Sequence, residues 1–147
     1  MPYESIARER QLLGIDPQFW YAHITIASCL TAMGRYADAV RELRVVPEEY
    51  RDYVSAFLGN ALALAGHREE ATALLRKVVS TGPDDGDRWV HGAYIQVGLG
   101  DKLAALTSLE NSLVHHETDA NYIGVDPILD PLRNEPRFQA LLKKLGL

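Results

Sequence analysis

Cysteine and long apolar runs are scarce in this sequence, and positive charges are outnumbered by negative ones. Cys29 is the one cysteine among 147 residues, so no disulfide can form within the chain, and its apolar surroundings predict a small buried thiol. No apolar run approaches the ~20 residues of a membrane-spanning helix, and the charged N-terminus lacks the apolar stretch of a signal peptide. The net charge of −5 disfavours nucleic-acid binding, which relies on a basic surface. We therefore expect a cytoplasmic protein that binds neither membranes nor nucleic acids.

Motifs that carry catalysis or metal binding are also missing. Gly98–Gly100 is a fragment of a dinucleotide-binding fingerprint, but the third glycine and the preceding strand are absent. The cluster richest in metal-ligating residue types is His115, His116, Glu117 and Asp119. Adjacent histidines on a helix point about 100° apart and chelate one ion poorly, so this cluster indicates a solvated helix end. We expect no catalytic residues, no cofactor and no metal site.

What the sequence does contain is a repeat with a period of 32 to 34 residues. A glycine is followed five residues later by an alanine, and four residues further by a leucine. The three copies are Gly34, Ala39 and Leu43; Gly66, Ala71 and Leu75; and Gly100, Ala105 and Leu109. The glycine can end a helix in the left-handed conformation, the alanine lets a second helix approach, and the leucine fills the groove between hairpins. The pattern predicts three stacked helical hairpins.

On these residues the chain resembles the tetratricopeptide repeat family. The second copy matches best. Leu58, Gly59 and Leu62 lie in its first helix, and Pro83 ends the repeat. The resemblance implies an all-α fold, a right-handed α-α superhelix of helical hairpins, whose partners are proteins or peptides. The third copy departs from the family pattern at Gly92 and Gln96, where large apolar residues are usual. We therefore expect its first helix to pack less tightly.

We expect a single domain with the following boundaries: a half repeat at 1–16, repeats at 17–47, 48–83 and 84–117, and a C-terminal cap at 118–147. Helices are expected at 2–13, 17–33, 35–46, 47–65, 68–81, 87–97 and 101–116. Gly14 is expected to end the first helix, and Asp16 followed by Pro17 to open the second. Asp84 or Asp85 is expected to cap the first helix of the third repeat.

The tail differs from the repeats and is expected to cap them. Two Asp-Pro steps in 117–135 favour short helical turns, and Pro136 opens a last helix whose apolar face can close the third repeat. That face contains Phe138, Leu141, Leu142 and Leu145. The stretch 126–142 resembles the end of tetratricopeptide regions in bacterial multidomain signalling proteins, although Glu135 stands where aspartate is usual. There such regions follow cyclase, kinase or winged-helix domains, which implies a regulatory role.

In tetratricopeptide folds the first helix of each hairpin lines a concave groove, which is the candidate partner site. Helical spacing assigns to it Tyr21, Thr25 and Ser28, then Tyr53, Phe57 and Asn60, then Asp87, His91 and Tyr94. This groove is expected to be aromatic and nearly uncharged. Asn60 matches the asparagine of a carboxylate clamp, but the basic partners of such a clamp are missing. We therefore expect an apolar or helical segment rather than an acidic tail. The alternative is that these aromatic residues belong to the core.

A second function class follows from the half repeat at the N-terminus. A solenoid that opens on half a repeat exposes an apolar face, here Ile6, Leu12 and Leu13. The chain is then part of a longer protein, or it forms a homodimer through this helix as a self-associating structural module. The other alternative is that the first helix is itself the cap.

Overall fold

In each of the three hairpins a glycine ends the first helix, as the repeat predicted. Gly34, Gly66 and Gly100 have φ angles of 73°, 92° and 79°, in the left-handed region that a glycine enters without steric cost. In each case the next residue donates its backbone N–H to a carbonyl five residues back, at 2.8, 2.8 and 3.0 Å. These bonds satisfy carbonyls that the end of a helix leaves unpaired, so the chain reverses in a short turn.

The computed structural model describes residues 1–81 and 87–147, and within them the regular structure is helical throughout. The α-helices are α1 (Pro2–Ile15), α2 (Trp20–Ala32), α3 (Tyr36–Arg44), α4 (Arg51–Leu64), α5 (Arg68–Thr81), α6 (Arg88–Gly98), α7 (Lys102–Val114) and α8 (Pro136–Lys144). Short 3-10 helices are Glu48–Tyr50, Thr118–Tyr122 and Pro127–Leu132. The expected Pro83 turn and the Asp84 or Asp85 cap lie outside the described residues. None of the helices in the described ranges is long and apolar enough to cross a membrane.

The helices pack in chain order as hairpins α2–α3, α4–α5 and α6–α7, and the first helices α2, α4 and α6 also lie side by side. The repeat alanines Ala39, Ala71 and Ala105 are fully buried where the two helices of each hairpin meet. Each takes so little space that the helices approach closely, as the pattern predicted. The chain is therefore an all-α solenoid of helical hairpins.

Helix α6 packs closely against its neighbours, so the expected loose packing of the third repeat is wrong. A Cβ at Gly92 would lie 3.2 Å from Val79, which means that the missing side chain lets α5 approach α6. The polar Gln96 is satisfied because its Oε1 accepts a hydrogen bond from Ser108 at 2.7 Å. Gly92 and Gln96 depart from the family pattern, but both fit the residues that surround them.

Among the expected helix boundaries, those at the end of α1 and at the starts of α2 and α4 are wrong, and at α2 and α4 a turn precedes the helix. Helix α1 continues through Gly14 to Ile15. Asp16 does not open α2; its carboxylate accepts the backbone N–H of Gln18 at 3.0 Å, and this local turn delays α2 until Trp20. Pro47 likewise starts a 3-10 turn, and α4 begins only at Arg51.

Helix α1 is fastened to the next hairpin by buried charge. Arg10 donates two hydrogen bonds to Glu42, at 2.9 and 2.5 Å, and His23 Nδ1 lies 2.7 Å from the same carboxylate. Glu42 and His23 are both buried, and they join α3 to α2. Ile6 and Leu13 of α1 pack against the apolar core of that hairpin. The first helix therefore covers the end of the solenoid with one face.

The C-terminal tail covers the other end, as predicted. After the two 3-10 turns, α8 buries Phe138 and Leu141 in an apolar cluster that includes residues of α6, α7 and the tail. Leu142 and Leu145 pack partly against the same cluster. The proline at the first position of α8 has no N–H to lose there, which favours the helix start.

Candidate functional site: a concave groove

A groove of about 920 Å³ runs along α2, α4 and α6 and is closed on one side by the tail. Its lining includes eight of the residues that helical spacing assigned to it, namely Tyr21, Thr25, Ser28, Tyr53, Phe57, Asp87, His91 and Tyr94. They come together because the first helices of successive hairpins lie side by side and present the same helical stripe.

Asn60 is the assigned residue that does not line the groove. Its side chain is 3% exposed, and its Nδ2 donates to the backbone carbonyl of Tyr94 at 2.8 Å. At this turn of α4 the neighbouring helix α6 lies over the stripe, so the amide is enclosed between them. Asn60 therefore joins two helices, and its expected place in the lining of the groove is wrong.

Tyr94 forms the floor of the groove and belongs to the core as well. It is buried, its ring packs edge-on against Phe57 at 5.6 Å, and its hydroxyl donates a hydrogen bond to Asp126. Burial raises the pKa of the Tyr94 hydroxyl well above its usual value, and the adjacent carboxylate of Asp126 raises it further. The hydroxyl therefore stays protonated as a donor. For Tyr94 the alternative of a core residue holds.

The end of the groove near α2 is an aromatic shelf formed by Trp20, Tyr21 and Tyr53. Trp20 stacks on Tyr53 with ring centroids 5.1 Å apart and planes 19° apart, and Tyr21 meets Trp20 edge-on at 5.9 Å. Tyr21 and Tyr53 are 56% and 59% exposed. Large aromatic rings that are held by stacking and still open to solvent are suited to bind apolar groups or cations.

The groove lining also carries charge, so the expectation of a nearly uncharged groove is wrong. The lining contains four aspartates, two cations and one histidine: Asp52, Asp87, Asp119, Asp126, Lys77, Arg88 and His91. Lys77 donates to Asp52 at 2.9 Å, and the Arg88 guanidinium lies over the Trp89 ring, 5.2 Å from its centroid. Helical spacing assigned Asp87 and His91 to the groove but could not assign Asp119 and Asp126, which come from the tail.

Carboxylates fasten the tail to the beginning of α6. Glu117 accepts hydrogen bonds from the backbone N–H groups of Trp89 and Val90, both at 2.9 Å. It therefore caps α6 although it lies far from this helix in the sequence. In return Asp87 accepts the backbone N–H of Asp119 at 2.8 Å. Burial raises the pKa of the Glu117 carboxyl above its usual value, although the two amide hydrogen bonds lower it.

The ligand-rich cluster at 115–119 therefore separates into different roles. Glu117 is the buried cap of α6, Asp119 lies 3.0 Å from His91 Nε2, and His115 stacks on Trp89. His115 and His116 are exposed. Within residues 1–81 and 87–147, no three side chains of His, Cys, Asp or Glu are grouped so that they could hold a metal ion.

The expected apolar face of α1 is mostly used within the chain. Ile6 and Leu13 pack against the core, whereas Leu12 is 39% exposed and Ile15 is 83% exposed. The free apolar surface is therefore smaller than the sequence suggested, and it lies at the end of α1.

The stacked hairpins and the groove along their first helices define a helical-repeat solenoid. The model of the tetratricopeptide repeat family matches residues 6–59, from α1 into α4, so this part of the chain is similar to tetratricopeptide repeats. The later hairpins continue the same architecture. No curated protein and no solved structure matches the chain significantly. Tetratricopeptide repeats generally mediate protein–protein interactions and are generally not enzymes.

Proposed function

We propose that the chain is a non-enzymatic module that holds an apolar or helical segment of a partner protein in the concave groove. The observation that carries this proposal is the aromatic shelf, where Tyr21 and Tyr53 are more than half exposed on stacked supports. Large aromatic residues supply most of the binding energy at many interfaces because they bury much area with few rotatable bonds. The groove gives such a segment a long concave surface.

We further propose that this module is a cytoplasmic, regulatory part of a bacterial signalling protein. The support is the resemblance of the tail to the ends of tetratricopeptide regions in such proteins. The residues of the resemblance include Leu132 and Phe138, which are fully buried. A regulatory module of this kind acts by binding, which agrees with the absence of a recognised catalytic motif in the sequence.

The groove is tested with peptides selected on the wild-type protein from a random displayed library. We expect Tyr53→Ala and Tyr21→Ala each to weaken binding of a selected peptide by about tenfold or more, because each removes an aromatic anchor. Fluorescence anisotropy with a labelled peptide measures the change. Since both side chains are exposed, the thermal unfolding midpoint should stay close to that of the wild type.

The matched control is Tyr3→Ala, which removes a tyrosine that is likewise exposed but lies on α1, away from the groove. Its affinity should equal that of the wild type. Equal affinity of all three variants and the wild type would contradict binding in the groove. Tyr94→Ala is unsuitable for this test because Tyr94 is buried and its loss would also destabilise the fold.

A self-associating structural module, as a homodimer through α1, is the second candidate. The observation that favours it is the exposure of Leu12 and Ile15 at the end of that helix. If this surface joins two copies, light scattering should show a mass above 16.4 kDa that falls on dilution, and Ile15→Glu should give a monomer at every concentration. A wild-type monomer throughout the series would eliminate this candidate.

A further inference from the structure

The acidic end of the groove has carboxylates without cationic partners. Asp87, Asp119 and Asp126 are half-buried there, and their hydrogen-bond donors are backbone amides, the Tyr94 hydroxyl and the His91 ring. In the described part of the chain, none of the three forms an ion pair with lysine or arginine. The groove lining therefore carries an excess of negative charge, with four aspartates against Lys77 and Arg88.

The three carboxylates act on the same space. Each of them raises the pKa of the Tyr94 hydroxyl at the groove floor, after the larger contribution of burial. All three carboxylates also line the groove, so their fields overlap in the space where a bound segment would lie. A concave, partly desolvated surface strengthens such fields, because less water screens them.

The aromatic shelf at the other end selects for the same kind of ligand. The ring faces of the exposed Tyr21 and Tyr53 carry partial negative charge, so they can bind cationic side chains in addition to apolar groups. Both ends of the groove therefore favour positive charge, while only the shelf favours apolar contact. This agreement between two separate parts of the groove is what identifies the ligand's chemistry.

We propose that the groove binds a basic, amphipathic protein segment, with apolar side chains on the aromatic shelf and lysine or arginine side chains at the acidic end. The inference rests on the proposed function of the groove and specifies its ligand. An acidic segment would meet a lining with an excess of carboxylates and be repelled, which gives the groove discrimination as well as affinity.

The probes are three labelled peptides of about 15 residues, long enough to form an amphipathic helix. The three peptides share one spacing of leucine and tryptophan. All of their remaining positions carry lysine in the first peptide, glutamine in the second and glutamate in the third. At about 50 mM salt the lysine peptide should bind about tenfold more tightly than the glutamine peptide, and the glutamate peptide most weakly. Raising the salt to about 0.5 M should reduce the preference by screening.

Two double variants separate the groove charges from the overall charge. Asp87→Asn with Asp119→Asn keeps oxygen acceptors for the tail contacts but removes two charges from the groove, and should weaken lysine-peptide binding about fivefold or more. Glu4→Gln with Glu69→Gln removes the same charge from exposed positions outside the groove and should change it less than about twofold.

Outcomes of the peptide comparison distinguish the two levels of the proposal. If Tyr53→Ala weakens all three peptides but lysine and glutamine peptides bind equally, the groove stands and the basic ligand is wrong. If the lysine peptide binds and Tyr53→Ala changes nothing, both the groove and the basic ligand are wrong. Equal losses in the two double variants, or no measurable binding of the lysine peptide, would also overturn the inference.

Discussion

Replacing Phe138 with alanine is expected to lower the free energy of unfolding by about 3–5 kcal/mol, the usual cost of truncating a buried phenylalanine. Phe138 is fully buried in the apolar cluster that α8 shares with α6, α7 and the tail. Two effects contribute to this loss. Apolar surface is removed from the core, and a cavity remains because contacts with the tail keep α8 from moving in to fill it. Chemical denaturation of the full chain measures it.

The matched control for Phe138 lies on the same helix. Lys143 is exposed on α8, and Lys143→Ala should change the free energy of unfolding by less than about 0.5 kcal/mol. Phe138→Leu keeps most of the buried volume and should cost less than the alanine variant. If Phe138→Ala cost no more than Lys143→Ala, α8 would not be packed as the cap of the last hairpin.

Replacing Gly98 with valine is expected to cost about 2–3 kcal/mol, at the upper end of what overpacking costs in a close-packed interior. A Cβ at this position would lie 2.8 Å from the backbone oxygen of Asn60 and 3.1 Å from Ala63 Cβ. Backbone cannot move aside as a side chain can, so α6 would have to move away from α4. The hydrogen bond between Asn60 and the Tyr94 carbonyl would lengthen as well.

Gly14 supplies the control for Gly98, because it is also helical and has no atoms within 4 Å of the added Cβ position. Gly14→Ala should stabilise the protein by up to about 1 kcal/mol, since alanine is the better helix former. Opposite signs for the two variants, measured by the same denaturant titration, would show that close approach of helices is the reason for glycine at Gly98. A stabilising effect at both positions would refute it.

The hairpins could be predicted from the sequence because their signals are local. Gly66 ends α4, Ala71 is buried between the helices, and α5 runs from Arg68 to Thr81 as expected. Each of these features depends on a few neighbouring residues and on a helical period. The turn after Asp16 is an example of where local signals compete. Its carboxylate can cap a helix or stabilise a turn, and only the structure shows that it forms the turn.

The charge of the groove could not be predicted because it depends on contacts between distant parts of the chain. Asp119 and Asp126 become groove residues when Glu117 caps α6 and Tyr94 binds Asp126. No periodicity connects these positions. Asn60 was misplaced for a related reason, because spacing along one helix does not show where a neighbouring helix crosses it.

The fastening of the tail to α6 sets the order in which the groove is completed during synthesis. A growing chain that has not yet reached Glu117 already contains the aromatic shelf, but its α6 lacks the carboxylate that caps Trp89 and Val90. The wall that includes Asp119 and Asp126 is also still missing. The basic partner that we propose would therefore meet a finished groove only after the tail has been made, so its binding would come later than the folding of the first hairpins.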